Sequence, residues 1–240
     1  NGGFSFGNNR GIEAGLQAFL PRFVLLLNSD TIVQPGCLRS CIDRMDSDPS
    51  IGLFSCKLLN ADGSVQNVVR RFPSPLRVFI STTGLPWLFP RLFGWADTND
   101  PGWDRATTAR DVDWIGGAFL MIRTEVLDRI GVLDEDFFFY GEDTEYSHRA
   151  ARAGIRRYYD PVGSVVHLGG ASSDPALLPT KSRNIHAWRG RYLVQRKCYG
   201  RPAEWFVRCV DIAGCAVRLA WHRVSPMGKP ERFAELSDML

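Results

Sequence analysis

The run Phe23-Val24-Leu25-Leu26-Leu27, ending on Asn28-Ser29-Asp30, constrains this chain more than any other stretch. Five apolar residues without alternation suit a strand buried on both faces, and such strands belong to sheets with helices on either side. Upstream, Asn8-Asn9 can cap a helix carrying Ile12, Leu16 and Phe19 at i, i+4 and i+7. Downstream, Pro35 opens a second helix with Leu38, Ile42 and Met45 inward, closed at Asp48-Pro49. Ile51 to Leu59 then reads as a further strand, with Asn60-Ala61-Asp62-Gly63 as its turn. Helix, buried strand, helix, strand predicts an α/β fold with a doubly wound sheet.

Composition narrows the function classes. Hydrophobic residues make up 45% and charged residues 23% of the 240, which excludes an intrinsically disordered chain. Twenty-nine Lys and Arg against 26 Asp and Glu leave a net charge of +3, so bulk charge does not point to a polyanion and no nucleic-acid partner is expected. Six cysteines, at 37, 41, 56, 198, 209 and 215, show no C-x-x-C and no histidine at zinc-ligand spacing, and read as free thiols of a reducing cytosol. The opening Asn1-Gly2-Gly3 lacks the features of a signal peptide, and the chain reads as a fragment whose first strand lies upstream. No stretch of about 18 apolar residues is present, so no span of a bilayer is expected.

Regularity breaks between Phe72 and Asp111, where prolines at 73, 75, 86, 90 and 101 and tryptophans at 87, 95 and 103 predict a long irregular insertion. Loops of that length in a compact domain usually serve as lids or binding loops. Order resumes at Trp114-Ile115-Gly116-Gly117 and a strand from Ala118 to Ile122. A short helix follows, with Thr124 as N-cap and Gly131 as its stop. Phe137-Phe138-Phe139-Tyr140-Gly141-Glu142-Asp143 leads into a helix ending at Gly154. Strands at Ile155 to Tyr159 and Ser164 to His167 close the domain at His167-Leu168-Gly169-Gly170. The domain division expected is a core over 1–175 and a basic helical extension over 176–240. In that extension Glu204, Arg208, Asp211, Arg218 and His222 fall on one polar stripe. The apolar remainder either packs on its own domain or lies in a membrane interface.

Four features could carry chemistry. Asp30 follows a buried strand and so projects into the crevice at the sheet's carboxyl edge, where a carboxylate can hold Mg2+ or Mn2+; the plainer role is a turn or cap residue. Glu142 and Asp143 follow an aromatic run, whose desolvation and their mutual repulsion raise carboxyl pKa values toward a general base's range; the plainer role is a helix N-terminus. His167 ends a short apolar strand before two glycines, as a site residue or a structural one. Residues 1–11, with glycines at 2, 3, 7 and 11 and asparagines at 1, 8 and 9, offer amides to an anion or a sugar. Their spacing fits neither the dinucleotide nor the P-loop pattern.

In this order, N-G-G-F-S-F-G-N-N-R-G at 1–11, L-L-L-N-S-D-T at 25–31, W-I-G-G-A-F-L-M-I-R at 114–123, G-V-L-D-E-D-F-F-F-Y-G-E-D-T-E-Y-S-H-R at 131–149 and H-L-G-G at 167–170 resemble the family 2 glycosyltransferases of the GT-A fold, nearest the bacterial rhamnosyltransferase-like branch. The resemblance implies a mixed, mostly parallel GT-A sheet flanked by helices. It places Asn28-Ser29-Asp30 at the family's D-x-D position, with Asp30 as metal and diphosphate ligand and Asn28 in place of the first acid. It implies donor contacts from Asn8, Asn9, Gly11, Asn28, Ser29 and Asp30. Asp143 is implied as catalytic base with Glu142 beside it, His167 as a second metal ligand, and Trp114, Gly116 and Gly117 as the wall of the acceptor pocket.

The function expected is therefore an inverting, metal-dependent transfer of a sugar, rhamnose being one candidate, to a glycan or polyprenyl-diphosphate-linked acceptor in cell-envelope polysaccharide synthesis. The donor would be a nucleotide-diphosphate sugar. A sugar nucleotidyltransferase and an inactive carbohydrate-binding domain are the competing readings; the first calls for a G-x-G-T-R-L-type loop, and the second has no use for Asp30, Glu142, Asp143 and His167 together. The expected location is the cytoplasmic face of the inner membrane, reached through peripheral contact of the tail.

Overall fold

The structure, a computed structural model, describes residues 1–169 and 180–224, with backbone alone at 180–183 and 221–224. Gly170, the residues 176–179 and 225–240 of the expected extension, and the side chain of His222 in its polar stripe lie outside the described residues. In chain order the elements are α1 (Gly3–Ala18), β1 (Phe23–Leu27), β2 (Thr31–Val33), α2 (Cys37–Ser47), β3 (Ile51–Leu59), β4 (Val69–Arg70), α3 (Pro75–Thr82), α4 (Leu85–Leu88), α5 (Pro90–Phe93), β5 (Arg110–Asp111), β6 (Trp114–Ile115), β7 (Phe119–Arg123), α6 (Thr124–Ile130), α7 (Glu142–Arg152), β8 (Arg156–His167), α8 (Thr180–Tyr199) and α9 (Arg201–Val224). By its contacts the chain divides into two units, Asn1–Phe72 with Thr98–Val194, and Pro73–Asp97 with the residues from Gln195 onward.

The first unit is built on a mixed sheet of order β1-β7-β3-β8-β2, with β5 beside β8. The α/β class expected from the sequence is the one found. The pairing differs from a mostly parallel sheet: among the described strands β3 and β8 run parallel, while β1 with β7, β3 with β7, β2 with β8 and β5 with β8 are antiparallel. β7 follows β6 of the two-stranded sheet through the short turn at Gly116–Ala118, with no crossover helix between them. β3 occupies the centre, and Ile51, Leu53, Phe54, Cys56 and Leu58 are all buried.

Several local expectations are corrected. Asn8 and Asn9 do not cap α1, which starts five residues earlier at Gly3. Asn9 is buried instead: its Nδ2 donates to the Leu133 carbonyl and to Glu135 Oε1, both at 2.9 Å, and its Oδ1 accepts from Leu133 N at 3.1 Å. β1 is an edge strand among the described residues, and its Leu27 is exposed rather than buried on both faces. On α2 the inward face is Cys37, Cys41 and Met45, while Leu38 points outward. Thr124 is the first residue of α6 rather than its cap, because its hydroxyl is used on the Pro21 carbonyl at 2.6 Å. The two strands expected after Gly154 are one, β8, with a register shift opposite Ser55–Lys57.

The second unit turns the expected irregular insertion into α3, α4 and α5 plus a 3-10 turn at Gly94–Ala96. Prolines occupy the first turn of each of the three helices, where no backbone N–H is needed. α3 packs on α9, with the Phe79 and Phe206 ring centroids 6.0 Å apart. Of the polar stripe of α9, Glu204 and Asp211 are buried while Arg218 is exposed, and Glu204 accepts from Arg196 and Arg208. The Arg196 contact and then Arg208 hold the Glu204 carboxyl below the usual carboxylate range, against its burial.

Candidate active site

Antiparallel pairing of β4 with β6 sets Arg70 opposite Trp114 and Val69 opposite Ile115, and Gly116 N donates to the Val68 carbonyl at 2.7 Å. The Gln66–Arg70 segment is thereby brought beside the W-I-G-G turn. α7 is fixed to the same turn by Ile115 N, which donates to Ser147 Oγ at 3.3 Å. On the other side, Thr31 of β2 pairs with His167 of β8 and Leu168 N donates to the Asp30 carbonyl at 2.9 Å, so the end of β1 and the end of β8 meet.

A cavity of about 360 Å³ lies between these elements, lined by Phe4, Asn28, Gln66, Arg70, Trp114, Gly116, Gly117, Glu142, Asp143 and His167 among others. Residues separated by more than a hundred positions thus share one wall. The first turn of α7 presents both acids. Asp143 accepts from Gly117 N at 3.1 Å through one carboxylate oxygen, and from Thr144 N at 2.7 Å and Thr144 Oγ1 at 3.3 Å through the other. Burial raises its pKa above the ordinary aspartate value, and the hydrogen bonds from Gly117 and Thr144 and the charge of Arg70 work against that rise. Glu142 is 5% exposed, and its Oε2 has no hydrogen-bond partner among the described residues. Burial first, then the charge of Asp143, push it up to about 8. Both acids of the pair are thus held above their ordinary values, Glu142 at about 8.

Space is tight at two glycines of the turn. A Cβ on Gly117 would lie 3.1 Å from Phe4 Cζ and 4.0 Å from Asp143 Cβ, and one on Gly116 would lie 3.1 Å from the Val68 carbonyl oxygen. Behind the acids, α8 crosses the Tyr140-Gly141 turn so closely that a Cβ on Gly190 would stand 2.0 Å from the Tyr140 carbonyl oxygen. Tyr140 and Gly141 both adopt positive φ, at 70° and 99°, which turns the chain sharply into α7.

His167 carries the other half of the site. Its Nε2 lies 3.3 Å from Asp30 Oδ1 and 3.3 Å from Asn28 Nδ2, and its Nδ1 lies 2.8 Å from Gln66 Oε1. Gln66 Nε2 donates to the His167 backbone carbonyl at 3.0 Å, and a carbonyl only accepts, so it is Oε1 that faces the ring. Nδ1 must then carry a proton, and Nε2 faces the Asp30 carboxylate and Asn28. A ring nitrogen and a carboxylate oxygen turned toward each other form a donor set that fits a divalent cation such as Mg2+ or Mn2+. Asp30 itself is buried behind His167 and is not among the residues lining the cavity. Ser29 is exposed.

Of the residues singled out from the sequence, the structure brings Asn28, Trp114, Gly116, Gly117, Glu142, Asp143 and His167 to one cavity and joins Asp30 to it through His167. It does not bring Asn8, Asn9 or Gly11 there. Asn8 and Gly11 line a second cavity of about 550 Å³ between α1 and β1, which shares Phe4 with the first, and Asn9 is committed to the 133–135 turn. Sequence reasoning missed Gln66 and Arg70. Both sit in an ordinary-looking turn and a two-residue strand, and only pairing with β6 reveals their place.

A family model described as glycosyltransferase like family 2 matches residues 3–185. Among curated proteins, an N-acetylglucosaminyl-diphospho-decaprenol L-rhamnosyltransferase of Mycobacterium tuberculosis is 28% identical over 173 residues, covering 68% of this chain and 53% of that protein. The low-salt glycan biosynthesis hexosyltransferase Agl10 of Haloferax volcanii is 29% identical over 167 residues, covering 70% and 49%. The rhamnosyltransferase WbbL of Escherichia coli is 25% identical over 169 residues, covering 69% and 60%. The chain thus spans about half the length of the curated relatives it matches. Among solved structures, the mannosyltransferase PcManGT of Pyrobaculum calidifontis, in complex with GDP-Man and Mn2+, aligns with a TM-score of 0.46 at 18% identity, covering 95% of this chain and 57% of that one.

Proposed function

The chain belongs to glycosyltransferase family 2, and from that premise we propose that it moves a hexosyl group, rhamnose being the first candidate, from a nucleotide-diphosphate sugar to a glycan or polyprenyl-diphosphate-linked glycan acceptor, with inversion at the anomeric carbon. The observation that carries this reading is the shared cavity. Asp143, oriented through both carboxylate oxygens, faces the same space as Asn28 and His167.

In this reading Asp143 takes the proton from an acceptor hydroxyl, whose oxygen attacks the anomeric carbon from the face opposite the departing diphosphate. The glycosidic C–O bond forms as the anomeric C–O bond to the phosphate breaks, and one displacement inverts the centre. Trp114, Gly116 and Gly117 shape the acceptor side. Asn28, Asp30 and His167 serve the diphosphate side, where Asp30 and His167 would hold Mg2+ or Mn2+. When bound, the cation supplies compensation for charge building on the nucleoside diphosphate. Glu142, kept protonated by its burial, spares Asp143 a second full negative charge in the same pocket. Turnover of a nucleotide-sugar panel with and without Mn2+ tests the proposal. Asp143→Asn is expected to lose roughly 10²- to 10⁴-fold in kcat while donor binding survives. Full activity in that variant would overturn the base assignment.

We further place the protein at the cytoplasmic face of the inner membrane by peripheral contact. No helix of the described residues is long and apolar enough to cross a membrane. What supports contact is the second unit's surface, where Trp87 is 85%, Leu92 69% and Trp205 68% exposed, with Arg91 beside Leu92. Exposed large apolar residues with an arginine in the same segment suit a lipid interface.

A further inference from the structure

The cysteines that lack any metal-binding spacing in the sequence are brought together by the fold. Cys37 and Cys41 lie one turn apart on α2 and Cys56 projects from β3 toward them; all three are buried, and their sulfur atoms lie within 4.8 Å of one another. The Cys37 and Cys56 sulfurs are 3.7 Å apart. β8 closes the cluster from a third side, since a Cβ on Gly163 would stand 2.7 Å from Cys37 Sγ and 3.0 Å from Cys37 Cα.

We propose that Cys37, Cys41 and Cys56 form a three-sulfur binding site for a soft, thiophilic cation of the Zn2+ and Cd2+ class. A cation bonded to three thiolates at about 2.3 Å needs sulfurs about 4 Å apart, close to the spacing present. A disulfide needs about 2 Å, so the 3.7 Å pair would have to approach by nearly the length of a bond and would leave the third sulfur unused. Thiolate donors select soft cations over the hard Mg2+ or Mn2+ that suit Asp30 and His167, so the two sites are chemically distinct. On binding, metal–sulfur bonds replace S–H bonds, each ligating thiol releases its proton to solvent, and no electrons are exchanged. The bound ion would tie the first turn of α2 to β3. The segment leading into α2 is also joined to β8 through Gln34 N on the Ser164 carbonyl, three residues before His167.

The test is titration of the whole reduced, chelator-treated protein with Cd2+ alone, followed by the ultraviolet thiolate-to-metal charge-transfer band and by the thermal midpoint. The expected result is a band that saturates at one ion per chain, is abolished by excess Zn2+, and accompanies a rise in midpoint as a native-state ligand requires. Cys41→Ser and Cys56→Ser should each lose the band, and Cys209→Ser, at an exposed position, should keep it. The midpoint of the unaltered protein keeps the test valid where a variant fails to fold. Absence of a saturating band with an unchanged midpoint overturns the proposal, as does a band lost in Cys209→Ser.

Discussion

Gln66 holds His167 at both ends of its amide, Oε1 facing Nδ1 at 2.8 Å and Nε2 donating to the His167 carbonyl at 3.0 Å. One side chain therefore fixes both the tautomer and the orientation of the imidazole whose Nε2 faces Asp30. Partners of this kind behind a ligating histidine typically contribute 10- to 100-fold in metal affinity. Gln66→Leu is expected to weaken Mn2+ binding by about that factor, measured by the loss of the free-ion electron paramagnetic resonance signal. Gln66→Glu, which keeps an acceptor for Nδ1–H, should retain most of the affinity. Equal, unchanged affinity in both variants would remove Gln66 from the site.

The buried pair on α7 makes stability depend on pH. Glu142 holds its proton in the folded protein up to about 8 and loses it near the ordinary glutamate value when unfolded. Over that interval the native state binds more protons, so stability is complete below the ordinary value and falls as pH rises through about 8, by several kcal/mol at most. Glu142→Gln should flatten this loss. Urea midpoints followed from pH 5 to about 9 check it; parallel curves for the two proteins would refute it.

Gly190 marks where α8 passes the turn that feeds α7. A methyl group there meets the Tyr140 carbonyl at 2.0 Å, backbone against backbone, with no flexible side chain to yield. Gly190→Ala is expected to destabilise by about 1–3 kcal/mol and to lower kcat by displacing Asp143. By contrast, Gly7→Ala, where no atom of the described residues lies within 4 Å, should leave the urea midpoint unchanged or raised. The comparison of the two midpoints is the measurement.

For the second unit, paired Trp87→Ser and Leu92→Ser substitutions remove two of its most exposed apolar side chains. Flotation with anionic liposomes should fall clearly below the unaltered protein. Retained flotation would show that this surface does not meet lipid.

Local chemistry made much of the fold legible. The apolar run of β1, the strand of β3, the glycine stop of α6 at Gly131 and the helical tail over α9 all follow from periodicity and chain-end signals that act within a few residues. Glu142 and Asp143 stood out as a pair, with the helix N-terminus as their plainer role; they lie both in the first turn of α7 and on the cavity wall. Strand direction was not: β7 runs antiparallel to β3, and nothing in its own sequence encodes which neighbour it will meet.

What the sequence determined by itself is the set of parts: a helix-covered sheet, an acid after its strand, an acid pair after an aromatic turn, a histidine at a strand's end. What only the tertiary structure decided is their company. Gln66 meets His167 across 101 positions, Asn9 is spent on Leu133 across 124, and Cys56 joins Cys37 from another element. The physical reason is that side-chain hydrogen bonds and metal geometry are satisfied over about 3–4 Å in space, a range that chain separation does not specify until the sheet fixes its register.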